Sequence, residues 1–385
     1  MIGRFREALA GDRLAAIAEV KRRSPSAGDL RPDADPAALA AGFERAGAAA
    51  VSILVDGRFG GSVADLAAAR AAAGVPLLAK GFFNSAEELA ELRRLGADAV
   101  LLLLRDLDDA RAQELMNAAE ALGLDALVEA HDAEELRRAV ELGADPIGIN
   151  ARDLDTFAID RRRQLELVES APRDRVVVAE SAIASRAQGA EAELAGADAV
   201  LVGSTLMRAV NPEAMLAELT ARPLVKVCGL TREEDVAAAA EAGADLAGFV
   251  LAKETPRRAP AVLPVPETML SVAVHVGEIT DDRADLVQHY TRENGHRARE
   301  GVLLRGGREV ARVVDREWQD DDPGHLERAR AARGRVVLAG GLAPENVGAA
   351  IERVRPWAVD ASSSLESSPG IKEHDLVRAF VEAAR

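Results

Sequence analysis

At 385 residues the chain has the length of two domains, and 48% hydrophobic residues supply ample core with few aromatics. A formal net charge of −16 argues against non-specific binding to nucleic acid or to anionic membranes, but not against anionic small substrates, because local groups set the field of a pocket. One cysteine, Cys228, excludes an internal disulfide and suits a reducing cytoplasm, and no apolar run approaches a membrane span, the nearest being Val100 to Leu104.

The first informative stretch runs from Leu14 to Gly28. Leu14 to Val20 reads as a buried strand. It breaks at Ser24-Pro25-Ser26, since a residue before proline is pushed out of helical geometry. Glu19 and Lys21 are two apart, so on a strand they point to one face. Charges at the end of an apolar strand are costly to bury unless they pair or do chemistry. A salt bridge at a strand mouth and a catalytic pair both fit this stretch.

A weak repeat follows. Helical patterns end in Gly-Ala, often with Asp next, at Gly47, Gly96, Gly143, Gly196 and Gly243, and a strand follows each time. The runs after these glycines are Val51–Val55, Ala99–Leu104, Ile147–Asn150, Val200–Gly203 and Leu246–Leu251. Val75–Ala79, Leu124–Val128 and Val176–Ala179 lie between them. Strands alternating with amphipathic helices indicate parallel βα units, and the eight from Leu14 to Gly203 predict a TIM barrel. An open Rossmann-type sheet is the alternative, but no Gly-x-Gly-x-x-Gly follows the first strand. The helix Pro212 to Thr220 and the linker Arg222-Pro223 place the domains at 1–221 and 222–385.

The second half is less regular. Strands read at Leu224–Cys228, Leu246–Leu251, Leu270–Val276, Val302–Leu304, Val336–Ala339 and Ala358–Val359. Val310 to Val314 fits a seventh strand or part of a helix, and the acidic run Asp320-Asp321-Asp322 a solvated turn. A full eight-fold barrel needs at least about 200 residues. The expected fold is therefore α/β, two fused TIM-type barrels, the second shortened or incomplete.

In a TIM barrel the site lies at the C-terminal ends of the strands. There the first half offers Glu19 and Lys21, Lys80-Gly81-Phe82, Glu129-Ala130-His131, Asn150-Ala151-Arg152, Glu180-Ser181-Ala182 and Gly203-Ser204. Lysines beside carboxylates suit proton transfer at a carbonyl; a Schiff-base aldolase using Lys80 or Lys21 is a second reading. Ser181-Ala182 and Gly203-Ser204 can present backbone N–H groups to a phosphate. Six histidines show no ligand spacing, so neither a metal nor another cofactor is expected.

Five stretches carry a resemblance: Ala18 to Ser26, Phe59-Gly60-Gly61-Ser62, Leu127 to Asp132, Ile147 to Leu154 and Ala179-Glu180-Ser181. On them residues 14–210 are similar to indole-3-glycerol-phosphate synthase, which closes an indole ring on carboxyphenylamino-deoxyribulose phosphate with loss of CO2 and water. The resemblance implies Lys80 as general acid, Lys21 and Glu129 as groups assisting condensation and dehydration, Glu19 as a supporting base and Glu180 as a polar anchor. It implies Asn150 and Arg152 as substrate binders, Phe82 against the anthranilate ring, and Ser24, Ser181, Gly203 and Ser204 as the phosphate cradle. Three departures stand out. Gly81 replaces an aspartate and Ala182 a glycine, and only Phe5 to Leu9 remains of a helical extension that covers the family's site.

In the second half, Cys228-Gly229-Leu230-Thr231 ends a strand, which favours a functional thiol over an inert one. With Arg257, Gly340-Gly341 and Ser362-Ser363 it resembles phosphoribosylanthranilate isomerase, the enzyme of the preceding step. The resemblance implies Cys228 as base, Arg257 as anthranilate clamp, and Gly340, Gly341, Ser362 and Ser363 at the phosphate. The family's Gln-Leu-His-Gly strand corresponds best to Leu303–Gly306, its Gly-Gly-Thr-Gly stretch is missing, and about two βα units are absent. Asp315 is the candidate acid, though it reads equally as a solvated helix residue. These gaps predict an open second barrel with low or absent isomerase activity, or a non-catalytic interaction domain. The expected partners are anionic phosphorylated small molecules, without nucleic acid or membrane, in the cytoplasm.

Overall fold

The computed structural model describes the chain except residues 1–2, 25–27, 154, 254, 281–282, 294–295 and 317–321. Pro25 and Ser26 of the first break, Leu154 of the fourth stretch, and Asp320 and Asp321 of the acidic run lie outside the described residues. The chain divides into two compact units, 1–184 with 189–220, and 185–188 with 221–385.

The first unit is a closed barrel of eight strands: Ala15–Val20, Ala50–Leu54, Leu77–Lys80, Ala99–Leu103, Asp125–Ala130, Ile147–Asn150, Val177–Glu180 and Ala199–Val202. All neighbours pair in parallel, and the last strand pairs with the first. Helices run between the strands, and their cores face the outward residues Ala16, Ala18, Val51, Ala79 and Val128. Gly96 and Gly143, at φ 100° and 77°, end two of them in the left-handed conformation that lets the chain turn straight into a strand. The inward residues Ile17, Leu78, Leu101, Leu127, Val178 and Leu201 fill the barrel. Side chains alternate along a strand, so the inward faces of five of the eight strands end in a polar residue: Glu19, Lys80, Glu129, Asn150 and Glu180.

The first helix, Arg4–Leu9, corrects an expectation. Its Phe5 and Leu9 are fully buried among the inward residues. Asp125 accepts from the backbone N–H groups of Phe5 and Arg6 at 2.9 and 3.0 Å. Asp125 begins its strand. The helix therefore plugs the N-terminal end of the barrel, opposite the polar residues, and does not cover them.

The second unit is also a closed barrel of eight strands, which overturns the expected opening. It uses Leu224–Cys228, Leu246–Val250, Leu270–Val276, Leu286–Tyr290, Glu300–Arg305, Arg308–Val314, Val336–Leu338 and Ala358–Ala361. The fifth strand runs antiparallel to both neighbours, and the other pairings are parallel. It turns into the sixth through Gly306-Gly307, at φ 54° and 78°, the geometry of a two-residue hairpin turn. A hairpin needs no crossover helix, so this barrel closes in fewer residues than a fully parallel one. Val310 to Val314 is strand, not helix. The fourth strand, Leu286–Tyr290, escaped the sequence reading. Leu303–Gly306 lies on the reversed strand, with Gly306 at the far end from the site. The parallel strand with a buried glutamine is Leu286–Tyr290, through Gln288.

Candidate active sites

A cavity of about 290 Å³ opens at the C-terminal end of the first barrel. It is lined by Glu19, Lys21, Ser24, Lys80, Phe82, Glu129, Asn150, Arg152, Ser181, Gly203 and Ser204. Glu180 sits just beneath, fully buried. Lys80 Nζ lies 2.5 Å from Glu180 Oε2 and 3.6 Å from both Glu19 Oε2 and Glu129 Oε2. Lys21 Nζ pairs with Glu19 Oε1 at 2.7 Å.

Glu129 is held from one side. Its Oε1 accepts from Asn150 Nδ2 at 2.9 Å and faces His131 Nε2 at 3.1 Å. Its Oε2 is buried without a hydrogen-bond partner, as is Glu180 Oε1. Burial lowers the Lys80 pKa, but Glu180, Glu129 and Glu19 more than offset it and hold the ammonium well above its ordinary value. Burial and the neighbouring Glu129 push the Glu180 carboxyl up, so it is the one of the three that takes a proton most readily. Against burial, Lys80 and His131 hold Glu129 low.

Two glycines make this packing possible. A Cβ on Gly148 would stand 2.3 Å from Glu180 Oε1, and one on Gly203 would stand 2.3 Å from Glu19 Oε1. At Gly81 a Cβ would come within 2.9 Å of the Phe83 ring and 3.2 Å of Val55, so the local packing favours glycine over the family's aspartate. Ser181 and Ala182 both take left-handed backbone, at φ 69° and 57°. Phe82 stacks on Phe59 at 6.5 Å, and the Arg58 guanidinium covers it at 3.9 Å.

Arg208 also reaches this cavity and escaped the sequence reading. Burial first, then the charge of Arg208, hold Arg152 below its ordinary value. Two cations facing one cavity suit an anionic ligand. The available signal was Arg208 one helical turn after Ser204.

The second cavity, about 470 Å³, gathers Cys228, Arg257, Asp315, Gly340, Gly341, Ser362 and Ser363 at the corresponding end of the second barrel. Asp315 follows the sixth strand and faces the cavity, so the solvated-helix alternative falls. It accepts from Tyr290 Oη at 2.9 Å, from Arg297 at 2.8 Å and from the Arg316 backbone N–H at 2.7 Å. Arg257 Nε pairs with Glu366 at 2.8 Å. Burial pushes the Cys228 thiol up, against the pull of Lys226. The reading missed Gln288 and Tyr290, on inward strand positions with no motif around them, and gave no role to Lys226 and Asp360, which stand beside the Cys228 and Ser362-Ser363 motifs; it also missed Arg292, His296 and Arg297, which a short hairpin carries to the mouth.

The model of the indole-3-glycerol phosphate synthase family matches residues 2–219, and that of N-(5'phosphoribosyl)anthranilate isomerase matches residues 322–383. An indole-3-glycerol phosphate synthase of Beutenbergia cavernae is 48% identical over 211 residues, covering 54% of this chain and 78% of that protein. One of Micrococcus luteus is 46% identical over 212 residues, covering 55% and 79%. A solved phosphoribosyl anthranilate isomerase of Thermotoga maritima is 25% identical and covers 42% of this chain and 98% of its own, with a TM-score of 0.34.

Proposed function

The chain belongs to the indole-3-glycerol phosphate synthase family through its first barrel, and we propose that this barrel performs the ring closure around Lys80 while the second performs an Amadori rearrangement at Cys228. The observation that carries the first part is the convergence of Glu19, Glu129 and Glu180 on one buried lysine.

Lys80 gives its proton to the ketone oxygen as the aromatic carbon attacks the carbonyl carbon. The C–C bond forms, and the carboxyl leaves as CO2, returning its bonding electrons to the ring. Lys21 then protonates the departing hydroxyl, and Glu129 takes the carbon-bound proton, releasing water and leaving the indole. Oε2 of Glu129 accepts no hydrogen bond and has the Lys80 ammonium 3.6 Å away. Glu19 keeps Lys21 charged, and Glu180 anchors Lys80. Arg152 holds the substrate carboxylate, with Asn150 fixing that end, since Asn150 Oδ1 accepts from the Arg152 backbone N–H at 3.0 Å. Phe82 packs on the aromatic ring. Ser24 and the turns at Ser181 and Gly203-Ser204 receive the phosphate.

In the second barrel Cys228 takes the proton from the sugar C2 and Asp315 protonates the ring oxygen. Arg257 clamps the anthranilate carboxylate, and Gly340, Gly341, Ser362 and Ser363 hold the phosphate. The closed barrel supports this reading over that of a non-catalytic domain, because a shut strand ring keeps the site shielded. Both substrates are phosphorylated metabolites, and we place the enzyme with them in the cytoplasm. Among the described residues no helix is long and apolar enough to cross a membrane.

Lys80→Ala tests the first barrel. Loss of one general acid costs about 10²–10⁴ in rate, so indole-glycerol-phosphate formation should collapse while the fold persists by circular dichroism. Near-parental turnover would remove Lys80 from the mechanism. Complementation of two tryptophan auxotrophs, one lacking each activity, tests both barrels together.

A further inference from the structure

Lys226 lies at the heart of the second barrel, its side chain 1% exposed. Its ammonium donates to Asp360 Oδ2 at 2.7 Å and to Gln288 Oε1 at 2.9 Å. Gln288 is itself fixed, because its amide donates to Tyr290 Oη at 2.8 Å. The other Asp360 oxygen, Oδ1, is buried without a hydrogen-bond partner. Lys226 is therefore the cation that balances Asp360.

The same lysine lies beside the thiol. Cys228 Sγ and Lys226 Cε stand 2.7 and 3.0 Å from the point where a Cβ on Gly248 would be. A glycine at that strand position lets both side chains share the space. A buried ammonium between a carboxylate and a thiol divides its field between them.

We propose that Lys226 is the positioning residue that sets the charge state of Cys228, and that Asp360 limits how far it draws the thiol toward thiolate. The other charged group acting on the thiol from a neighbouring element is Lys372, whose ammonium is paired with Glu366 at 2.9 Å. Glu366 also holds Arg257 at 2.8 Å, so this outer cation pair is tied to its own carboxylate. Burial raises the thiol, Lys226 lowers it and Asp360 raises it, in agreement with the geometry.

The proposal rests on Cys228 as the isomerase base, but its test does not. Cys228 is the sole cysteine, so the rate of iodoacetamide alkylation of the full chain reports one thiol. One pH unit in the thiol midpoint is about a tenfold change in thiolate. Lys226→Met should slow alkylation at neutral pH by about tenfold or more. Asp360→Asn, which keeps the shape, should speed it by about threefold or more. Opposite directions are the signature of a shared charge, since a loosened barrel would expose the thiol and speed both. An unchanged rate in Lys226→Met, or both variants moving the same way, overturns the proposal. Should Lys226→Met not fold, the pH midpoint of alkylation in Asp360→Asn decides alone, since loosening speeds the reaction without moving that midpoint: a midpoint moved down supports the proposal, one unmoved or moved up overturns it. Turnover of phosphoribosylanthranilate by the parent is measured alongside. An inactive parent with opposite rate shifts rejects the isomerase reading and leaves the thiol assignment standing.

Discussion

His131 shows how much one side chain settles in the first site. Its Nε2 faces Glu129 at 3.1 Å and its Nδ1 faces Glu135 at 3.0 Å. Only the Nδ1 contact has hydrogen-bond geometry, while Nε2 stands close to Glu129 without it, so the case for an imidazolium is the charge of the two carboxylates on either side of the ring. Burial opposes this charge, but the two carboxylates push its pKa up to about 10 from 6.5. Its stabilising contribution is therefore full below pH 6.5 and lost as pH rises through about 10. The melting temperature of the parent should exceed that of His131→Asn most at acid pH, and the gap should shrink across that window. The same variant should lower synthase turnover by about tenfold and shift its pH profile, because Glu129 Oε2 is then no longer aimed from behind.

Ala182, at φ 57°, occupies backbone that costs an L-residue about 1–2 kcal/mol. Ala182→Gly should stabilise the first barrel in denaturant titrations by up to that amount, less what glycine loses in chain entropy. It should also bind substrate as well or better. A tenfold weaker dissociation constant, about 1.4 kcal/mol, would argue against phosphate at this turn.

At the scale of elements, the first barrel was legible because four of its eight strands announce themselves. A Gly-Ala turn, three times with Asp next, precedes each of those four, and inward alternation on the strands between them carries Glu19, Glu129 and Glu180 to one rim. The short first helix was legible as a helix, but not its place: Phe5 and Leu9 say only that one face is buried, while the hydrogen bonds to Asp125 decide which end it seals. In the second barrel Leu286–Tyr290 was lost because Gln288 and His289 interrupt the apolar run and no glycine turn introduces it. The fifth strand was read at Val302–Leu304 but not its reversal, since strand direction leaves no mark on apolar alternation. Its turn does leave one, in Gly306-Gly307. Gly307→Val should destabilise the second barrel by about 1–2 kcal/mol, seen as a lower denaturation midpoint, with synthase turnover unchanged.

For the whole molecule, a chain with net charge −16 keeps cations where its phosphorylated substrates would bind: Arg152 and Arg208 in one cavity, Arg257, Arg292, Arg297 and Arg316 in the other. The sites draw on different strands and share no residue. Cys228→Ala should thus abolish phosphoribosylanthranilate consumption, followed by its fluorescence, and spare indole-glycerol-phosphate formation; Lys80→Ala should do the reverse. Loss of both activities in either variant would show that the barrels do not act separately.

The hairpin of the fifth and sixth strands also bears on how the second barrel comes to exist. Parallel neighbours must wait for a crossover of a dozen or more residues to be laid down. Arg305 and Arg308 are paired across two glycines, so their contact is as local as a sheet contact can be. Hairpins of this kind form in about 1–10 μs, and low sequence separation speeds folding. We predict that this pair forms ahead of the parallel contacts. Glu300–Arg305 presents one open edge to Leu286–Tyr290, already synthesised, and Arg308–Val314 presents the other to Val336–Leu338, which leaves the ribosome later. The reversed strand gives the growing chain a template to close on from both sides.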